Sequence, residues 1–237
     1  MGQTLAQTRA AAQLLLDNPG TSSISLSEWV VLINQANADV YRDLCEQNPS
    51  YFEVVSRITV AANVVSFDIS GASYLNAVPY KLVSLMRLEQ DAAVSTTNMP
   101  VSLTPMPWME YDQRLRVGGW GPGNGFNGRP QYFTMRGDRT VYLAPINGET
   151  THLNVHYVPM LAALTTGSDS TEVLGGRADE FQDGVAVRAA WLANSKRNGT
   201  NPMVGLLWQE FVARMKRAAP SRQMSGPHRV KAQYWGP

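Results

Sequence analysis

The chain has 237 residues, of which 44% are hydrophobic and 16% charged, enough apolar residues for one large domain or for a compact domain with an elaborated insert. The formal net charge is +1, but residues 1–213 carry 14 basic and 19 acidic side chains, whereas residues 214–237 carry six basic and no acidic ones. An acidic body of net charge −5 with a short tail of +6 argues against a broadly basic nucleic-acid-binding domain.

Cysteine content and hydropathy exclude further classes of protein. The single cysteine, Cys45, excludes an internal disulfide framework and a Cys-rich metal site, and its position in an amphipathic pattern indicates a buried, inert thiol. No apolar run approaches the ~18 residues that span a bilayer, and the first residues lack the basic and apolar blocks of a signal peptide. We therefore expect a cytosolic protein, or a part of something assembled in a cytosol, with no membrane partner.

Two helices are predicted before residue 48, over 4–16 and about 26–46. Each begins with a capping-box pair, Thr4 with Gln7 and Ser25 with Glu28. Asp17-Asn-Pro-Gly20 ends the first helix and Asn48-Pro49 the second. An apolar stripe at three- and four-residue steps marks the second helix: Leu26, Trp29, Ile33, Ala36, Val40 and Leu44.

Between residues 51 and 160 the period changes to two, which predicts strands. One strand ends at a turn, Ala62-Asn63, and a returning strand follows over 65–69. Further strands are expected over 81–89, 131–135, 139–143 and 151–158. The pair 131–135 and 139–143 forms a hairpin around Arg136-Gly-Asp138, where turn chemistry explains the sequence better than integrin binding. A short helix is predicted over 108–116.

A glycine-rich loop is predicted over 118–128, where six of eleven residues are glycine. Gly123–Gly128 has the spacing G-x-G-x-x-G, but Arg129-Pro130 and a strand follow it, so no helix N-terminus is available for a pyrophosphate. We expect instead a loop that becomes ordered against a partner. Its candidate contact residues are Trp120, Asn124, Phe126 and Arg129.

Candidates for metal binding and catalysis are weak. His152, Asn154 and His156 alternate on one strand face, but no third ligand stands at a persuasive spacing, so solvated or interface histidines are favoured. There is no G-x-S-x-G motif, and Asp179, Glu180 and Asp183 lie near a helix start, where carboxylates favour the dipole. We predict no cofactor, no metal and no enzymatic activity.

Two helices close the regular part of the chain. The first presents Ala178, Phe181, Val185, Ala189 and Leu192 on one face. Asn201 caps the second, Pro202 takes its first position, and Pro220 is expected to end it. Its apolar face consists of Val204, Leu207, Trp208, Phe211 and Met215.

The predicted fold class is α+β, with a bundle of N- and C-terminal helices, a central antiparallel β domain and an extended C-terminal tail. A single domain would span residues 1–220, with helices over 4–47 and 177–218 and the β region over 51–160. Residues 221–237 would form the partner-binding tail. Arginine, methionine, tyrosine and tryptophan are enriched at interface hot spots, and a solvated tail gains nothing from exposed aromatic rings. The candidate binding residues are Arg222, Met224, Pro227, His228, Arg229, Lys231, Tyr234 and Trp235.

The order of elements resembles a known family. The motifs that carry the resemblance are Gly128-Arg-Pro-Gln-Tyr-Phe133 before the hairpin, Tyr142-Leu-Ala-Pro145, a strand ending in Tyr157-x-Pro159, Asp179-Glu-Phe181 and Ala189-Ala-Trp-Leu192. Together they resemble the head-to-tail adaptor proteins of tailed bacteriophages, also called connector or head-completion proteins, over about 4–218.

This resemblance implies a structural protein of the virion neck, assembled in the host cytoplasm. Such proteins form a ring, usually of twelve subunits, beneath the portal. The ring extends the channel for genomic DNA and presents a surface to the next tail component, a nozzle, stopper or tail tube. The resemblance also implies that the C-terminal segment reaches the portal protein, that neighbouring subunits are partners, and that no catalytic residue is carried over.

Two alternatives remain open within the sequence. One is a tail tubular or nozzle protein. The other is a DNA-binding protein that uses its basic C-terminal tail, whose affinity would fall steeply with salt. A virion-associated cell-wall hydrolase is a third class, which a turnover assay on cell walls would test.

Overall fold

The computed structural model describes residues 3–16, 24–47, 52–69, 75, 77–88, 100–117, 128–137, 139–146, 148–169, 181–196 and 201–225, with side chains in the last range as far as Arg217. The chain divides into two compact units. The helical unit comprises residues 1–52 and 161–237, and the β unit comprises residues 53–160. The fold class is α+β, as predicted.

The described residues form five helices and eight strands. The helices are α1 (Leu5–Leu15), α2 (Leu26–Gln47), α3 (Trp108–Val117), α4 (Gln182–Lys196) and α5 (Pro202–Ser225). The strands are β1 (Val54–Val60), β2 (Ser66–Asp68), β3 (Pro79–Leu88), β4 (Pro100–Ser102), β5 (Thr104–Pro105), β6 (Tyr132–Arg136), β7 (Thr140–Ala144) and β8 (Thr151–Pro159).

The two N-terminal helices start where their capping boxes predicted. The Thr4 amide donates to Gln7 Oε1 at 2.9 Å, and the Ser25 amide donates to Glu28 Oε2 at the same distance. The reciprocal bonds to the two hydroxyls are also made, so amides at each N-terminus gain partners. The predicted stripe of α2 is buried except at Leu26, which is 55% exposed.

Helix α4 is the central element of the helical unit. It packs against α1, α2 and α5, whereas α2 and α5 touch each other only slightly. Its buried side is built from small residues, Gly184, Ala186, Ala189, Ala190 and Ala193, together with Val185. Small side chains let neighbouring helices approach closely, and a Cβ at Gly184 would lie 1.9 Å from Phe211 Cζ.

The prediction that Pro220 ends the last helix is wrong, because α5 runs on to Ser225. A proline removes one backbone hydrogen bond and crowds the preceding turn, but its fixed φ is itself helical. An interior proline costs about 3 kcal/mol, and α5 nevertheless continues for five residues beyond Pro220, an extension for which no described side chain gives a reason. The first part of the predicted tail, with Arg222 and Met224, therefore lies in α5.

The β unit contains two four-stranded sheets, ordered β1-β8-β3-β4 and β2-β7-β6-β5. Every pairing is antiparallel except that of β5 with β6. Residues from both sheets form one hydrophobic core: Ile58, Val60, Phe67, Ile69, Leu75, Leu85, Leu103, Phe133, Val141, Leu143, Leu153, Val155 and Tyr157. The predicted hairpin is confirmed as β6 and β7, with Gly137 at φ +66° in its turn.

The strand predicted after the turn at Ala62-Asn63 is present as β2, but it does not pair with β1. A turn does form at Ala62-Asn63, with Asn63 at φ 61°, but it sends β2 into the other sheet, where it pairs with β7. β1 pairs instead with β8, from Val54 opposite Tyr157 to Val60 opposite Thr151. A seven-residue strand forms seven paired positions with β8, whereas β2 has only three residues to offer.

Candidate partner-binding surfaces

Helix α5 carries the start of the basic C-terminal segment and is firmly anchored. Asn201 Oδ1 accepts a hydrogen bond from the Met203 amide at 3.1 Å, which confirms the predicted cap. Val204, Phe211 and Met215 are buried along one side of the helix. The segment that precedes the predicted binding residues is therefore a fixed helix on the helical unit.

The basic residues of α5 are held to different degrees. Arg214 donates to both carboxylate oxygens of Asp183, at 2.6 and 2.7 Å, and its guanidinium lies 5.1 Å from the Phe211 ring centroid. Lys216 and Arg217 are exposed. Positive charge is thus presented to solvent at the end of the described side chains.

The predicted binding residues can be placed only in part. Arg222 and Met224 belong to α5, but their side chains lie outside the described part of the chain. The other predicted tail residues also lie outside it: Pro227, His228, Arg229, Lys231, Tyr234 and Trp235. Their role in binding stays a prediction.

A cluster around Arg188 was missed by the sequence reasoning. Arg188 Nε and Nη2 donate to Asp39 Oδ2 at 2.9 and 2.6 Å. The guanidinium also lies 4.5 Å from the Trp191 ring centroid and 4.8 Å from that of Trp208. Because Asp39 is in α2, Arg188 in α4 and Trp208 in α5, one side chain joins three helices. The only sequence signal was the i, i+3 spacing of Arg188 and Trp191.

The start of α1 is held by the loop at 165–169. The Leu5 amide donates to the Asp169 carbonyl at 2.9 Å, and the Ala6 amide donates to the Gly167 carbonyl at 3.1 Å. The Asp169 carboxylate in turn accepts from the amides of Thr165 and Thr166, at 2.6 and 2.7 Å. These bonds, with those from the two hydroxyls, hold the pKa of Asp169 far below its usual range.

The glycine-rich loop joins two well-packed elements of the β unit. Before it, α3 packs Trp108 and Tyr111 onto Tyr142, with centroids 4.9 and 5.7 Å from the Tyr142 ring. After it, Gly128 lies against Pro145, where an added Cβ would meet Cγ at 3.1 Å, and Arg129 is exposed. Trp120, Asn124 and Phe126 lie outside the described residues, so their predicted contact role stays a prediction.

The strand histidines have neighbours within the first sheet. Leu153, Val155 and Tyr157 are buried, and His152, Asn154 and His156 alternate with them, as predicted. His152 Nδ1 lies 3.0 Å from Thr59 Oγ1, and His156 Nδ1 lies 2.7 Å from Glu53 Oε1. Among the residues that the structure describes, no group of three or more histidine, cysteine or acidic side chains is placed to hold a metal ion.

Charge is divided unevenly between the units. The β unit has eight basic and eight acidic residues, so its net charge is zero. The helical unit without residues 214–237 has six basic and eleven acidic residues, which accounts for the whole −5 of the body.

In the described ranges, no helix is both long and apolar enough to cross a membrane.

Comparison with known proteins supports the resemblance found in the motifs. A search of curated proteins found no match. The family model described as SU10 adaptor protein matches residues 3–231, which include both units and all of α5. A match over nearly the whole chain identifies it as a member of the phage adaptor family, the SU10 adaptor proteins.

Proposed function

We propose that this protein is a structural component of the phage neck, which forms an oligomeric ring under the portal, connects the head to the tail and extends the DNA channel. The observation that carries the proposal is the family match over residues 3–231. Twelve copies are the expected number, because the portal and the resembling adaptors set that symmetry.

The portal-binding element in this proposal is the end of α5 with the residues that follow it. Its support is the concentration of six basic residues in 214–237 and the presence there of Met224, Tyr234 and Trp235. Because α5 is anchored by its buried stripe, the helix presents the following residues from a fixed point. Anchoring one end lowers the entropy that is lost when the segment binds.

In the same proposal, the glycine-rich loop at 118–128 contacts a neighbouring subunit or the next tail component. Both its flanks are fixed, by the Trp108–Tyr111–Tyr142 cluster on one side and by Gly128 against Pro145 on the other. The acidic helical unit suits a channel through which DNA slides, since a basic wall would hold phosphates by counterion release. We expect the isolated protein to associate weakly and the portal to template the ring.

Two deletions test the portal-binding element. Deleting 221–237 should leave the fold intact and abolish capture by the portal protein in a pull-down, with unchanged circular dichroism as the control for folding. Deleting only 226–237 keeps all of α5 and separates the contribution of the helix end from that of the following residues. Capture of the 221–237 deletion at the wild-type level would refute the assignment. Images of the particle neck would test the ring itself.

A further inference from the structure

Helix α5 has an exposed stripe that the helical unit leaves uncovered. Five residues at alternating steps of three and four are all exposed: Met203, Leu206, Glu210, Ala213 and Arg217. Met203 and Leu206 are 61% and 60% exposed, although the first seven residues of the helix, 202–208, contain no charged side chain. A helical segment that is apolar on every side is normally buried on every side.

Helix α2 has a second exposed stripe of similar spacing. Its members are Val31, Gln35, Ala38, Arg42 and Glu46. The Arg42 side chain is 55% exposed and contacts Asp39 in its own helix at 3.2 Å. Helix α4 packs against both α2 and α5, which touch each other only slightly, so the two stripes lie on helices that are not close neighbours within one chain.

The two stripes match when the helices are set side by side in parallel. With Glu210 opposite Arg42, the equal spacings place Leu206 opposite Ala38 and Met203 opposite Gln35. A large side chain then faces a small one, and an acid faces a base. Arg217 lies seven residues beyond Glu210 and Glu46 four residues beyond Arg42, an offset of about 4.5 Å along the helix axes that a long arginine side chain can span.

We propose that the α5 stripe of one copy of this chain packs against the α2 stripe of the next copy, with Glu210 paired to Arg42. Two different patches that meet in this way form a head-to-tail contact, and repetition of that contact closes a ring. The inference rests on the proposed ring and names the helix faces that build it. We infer that the partner of the α5 stripe is a second copy of this chain, because Glu210 on one stripe and Arg42 on the other carry opposite charges and face each other in the same register as the apolar residues.

Charge reversal tests the contact in the full-length protein by sedimentation velocity over a concentration series at low salt. Glu210→Arg and Arg42→Glu should each weaken self-association by about tenfold or more, because like charges then face each other. Glu149→Arg, an equal charge change at an exposed position of the β unit, should leave association unchanged. Circular dichroism checks that each variant is folded.

Two combinations separate a lost contact from a damaged surface. The chain with both reversals should associate within about threefold of the wild type, since the pair is restored with its charges exchanged. An equimolar mixture of the two single variants should also associate, because each α5 then meets the opposite charge on the α2 of the other variant. Single reversals without effect, or reversals that neither combination restores, would overturn the contact.

The outcomes also distinguish this contact from the proposed function. If the wild-type protein forms a ring and each single variant forms it equally well, the proposed α2–α5 contact is wrong, but the assignment to the phage neck still stands. If the wild-type protein forms no ring, either alone or with the portal protein, both the α2–α5 contact and the proposed function are wrong.

Discussion

Two glycines in the first turns of their helices form a matched pair, Gly184 as the third residue of α4 and Gly205 as the fourth residue of α5. At Gly184 a methyl group would lie 1.9, 2.1 and 2.3 Å from three atoms of the Phe211 ring, whereas at Gly205 nothing lies within 4 Å. Since ordinary contact begins near 3.4 Å, the ring would have to move by about 1.5 Å. Phe211 is 4% exposed, and its ring centroid lies 5.5 Å from that of Trp208 and 6.2 Å from that of Phe181. The ring therefore has little room to move.

The expected free energies follow from two opposing contributions. Replacing glycine by alanine where the backbone is helical stabilises by about 0.4–1 kcal/mol, chiefly by reducing the freedom of the unfolded chain. Overpacking a core costs about 1–3 kcal/mol. Because the Phe211 ring would have to move by about 1.5 Å, we expect Gly184→Ala to cost about 3 kcal/mol or more before the gain in helix stability is counted. We therefore expect Gly184→Ala to lower the free energy of unfolding by about 2 kcal/mol and Gly205→Ala to raise it by about 0.5–1 kcal/mol.

Urea unfolding followed by circular dichroism measures both variants. Combining Gly184→Ala with Phe211→Leu, which removes the clashing ring, should give a double variant more stable than the sum of the two single changes by about 1 kcal/mol or more. A Gly184→Ala protein as stable as Gly205→Ala, or a double variant that is merely additive, would refute the packing argument.

Two further predictions concern ion pairs of the helical unit. Replacing Arg188 by methionine should lower the free energy of unfolding by about 2 kcal/mol, because the half-buried Asp39 carboxylate loses both hydrogen bonds from Arg188 and keeps its pairing with the exposed Arg42, and adding Asp39→Leu should recover part of that loss in urea melts. Hydrogen bonds from Lys196 and Ser25 lower the pKa of Glu28 from 4.5 to about 2. Its stabilising effect is therefore present above pH 4.5 and lost as the pH falls towards 2, so Glu28→Gln should flatten the dependence of the melting temperature on pH in that interval. An unchanged slope would contradict the Glu28 assignment.

The sequence predicts the helices well because their signals are local. The pairs Thr4–Gln7 and Ser25–Glu28 are three residues apart, and the structure contains all four of their hydrogen bonds. The exception is the end of α5, where the proline rule predicts a stop at Pro220 and the helix continues to Ser225.

Partner choice between distant elements could not be read from the sequence. Alternation in β1 identifies which residues face the core, but it does not say whether β2 or β8 is the neighbouring strand. The Arg188 cluster could not be predicted for the same reason, because Asp39 and Arg188 are 149 residues apart and meet when α2 packs on α4. The exposed stripes of α2 and α5 were hidden for a different reason, because composition shows an apolar residue without showing which side of its helix is covered.

The division of the chain has a consequence for synthesis. The β unit is one continuous segment, 53–160, and its described strands pair with one another, so it can fold as soon as it leaves the ribosome. Helices α1 and α2 are made first, but their main partner α4 is encoded after that segment. At about 5–20 residues per second, the nascent α2 waits on the order of ten seconds with its apolar stripe uncovered. A chaperone that binds nascent chains would therefore meet the uncovered apolar faces of α1 and α2 before α4 is made.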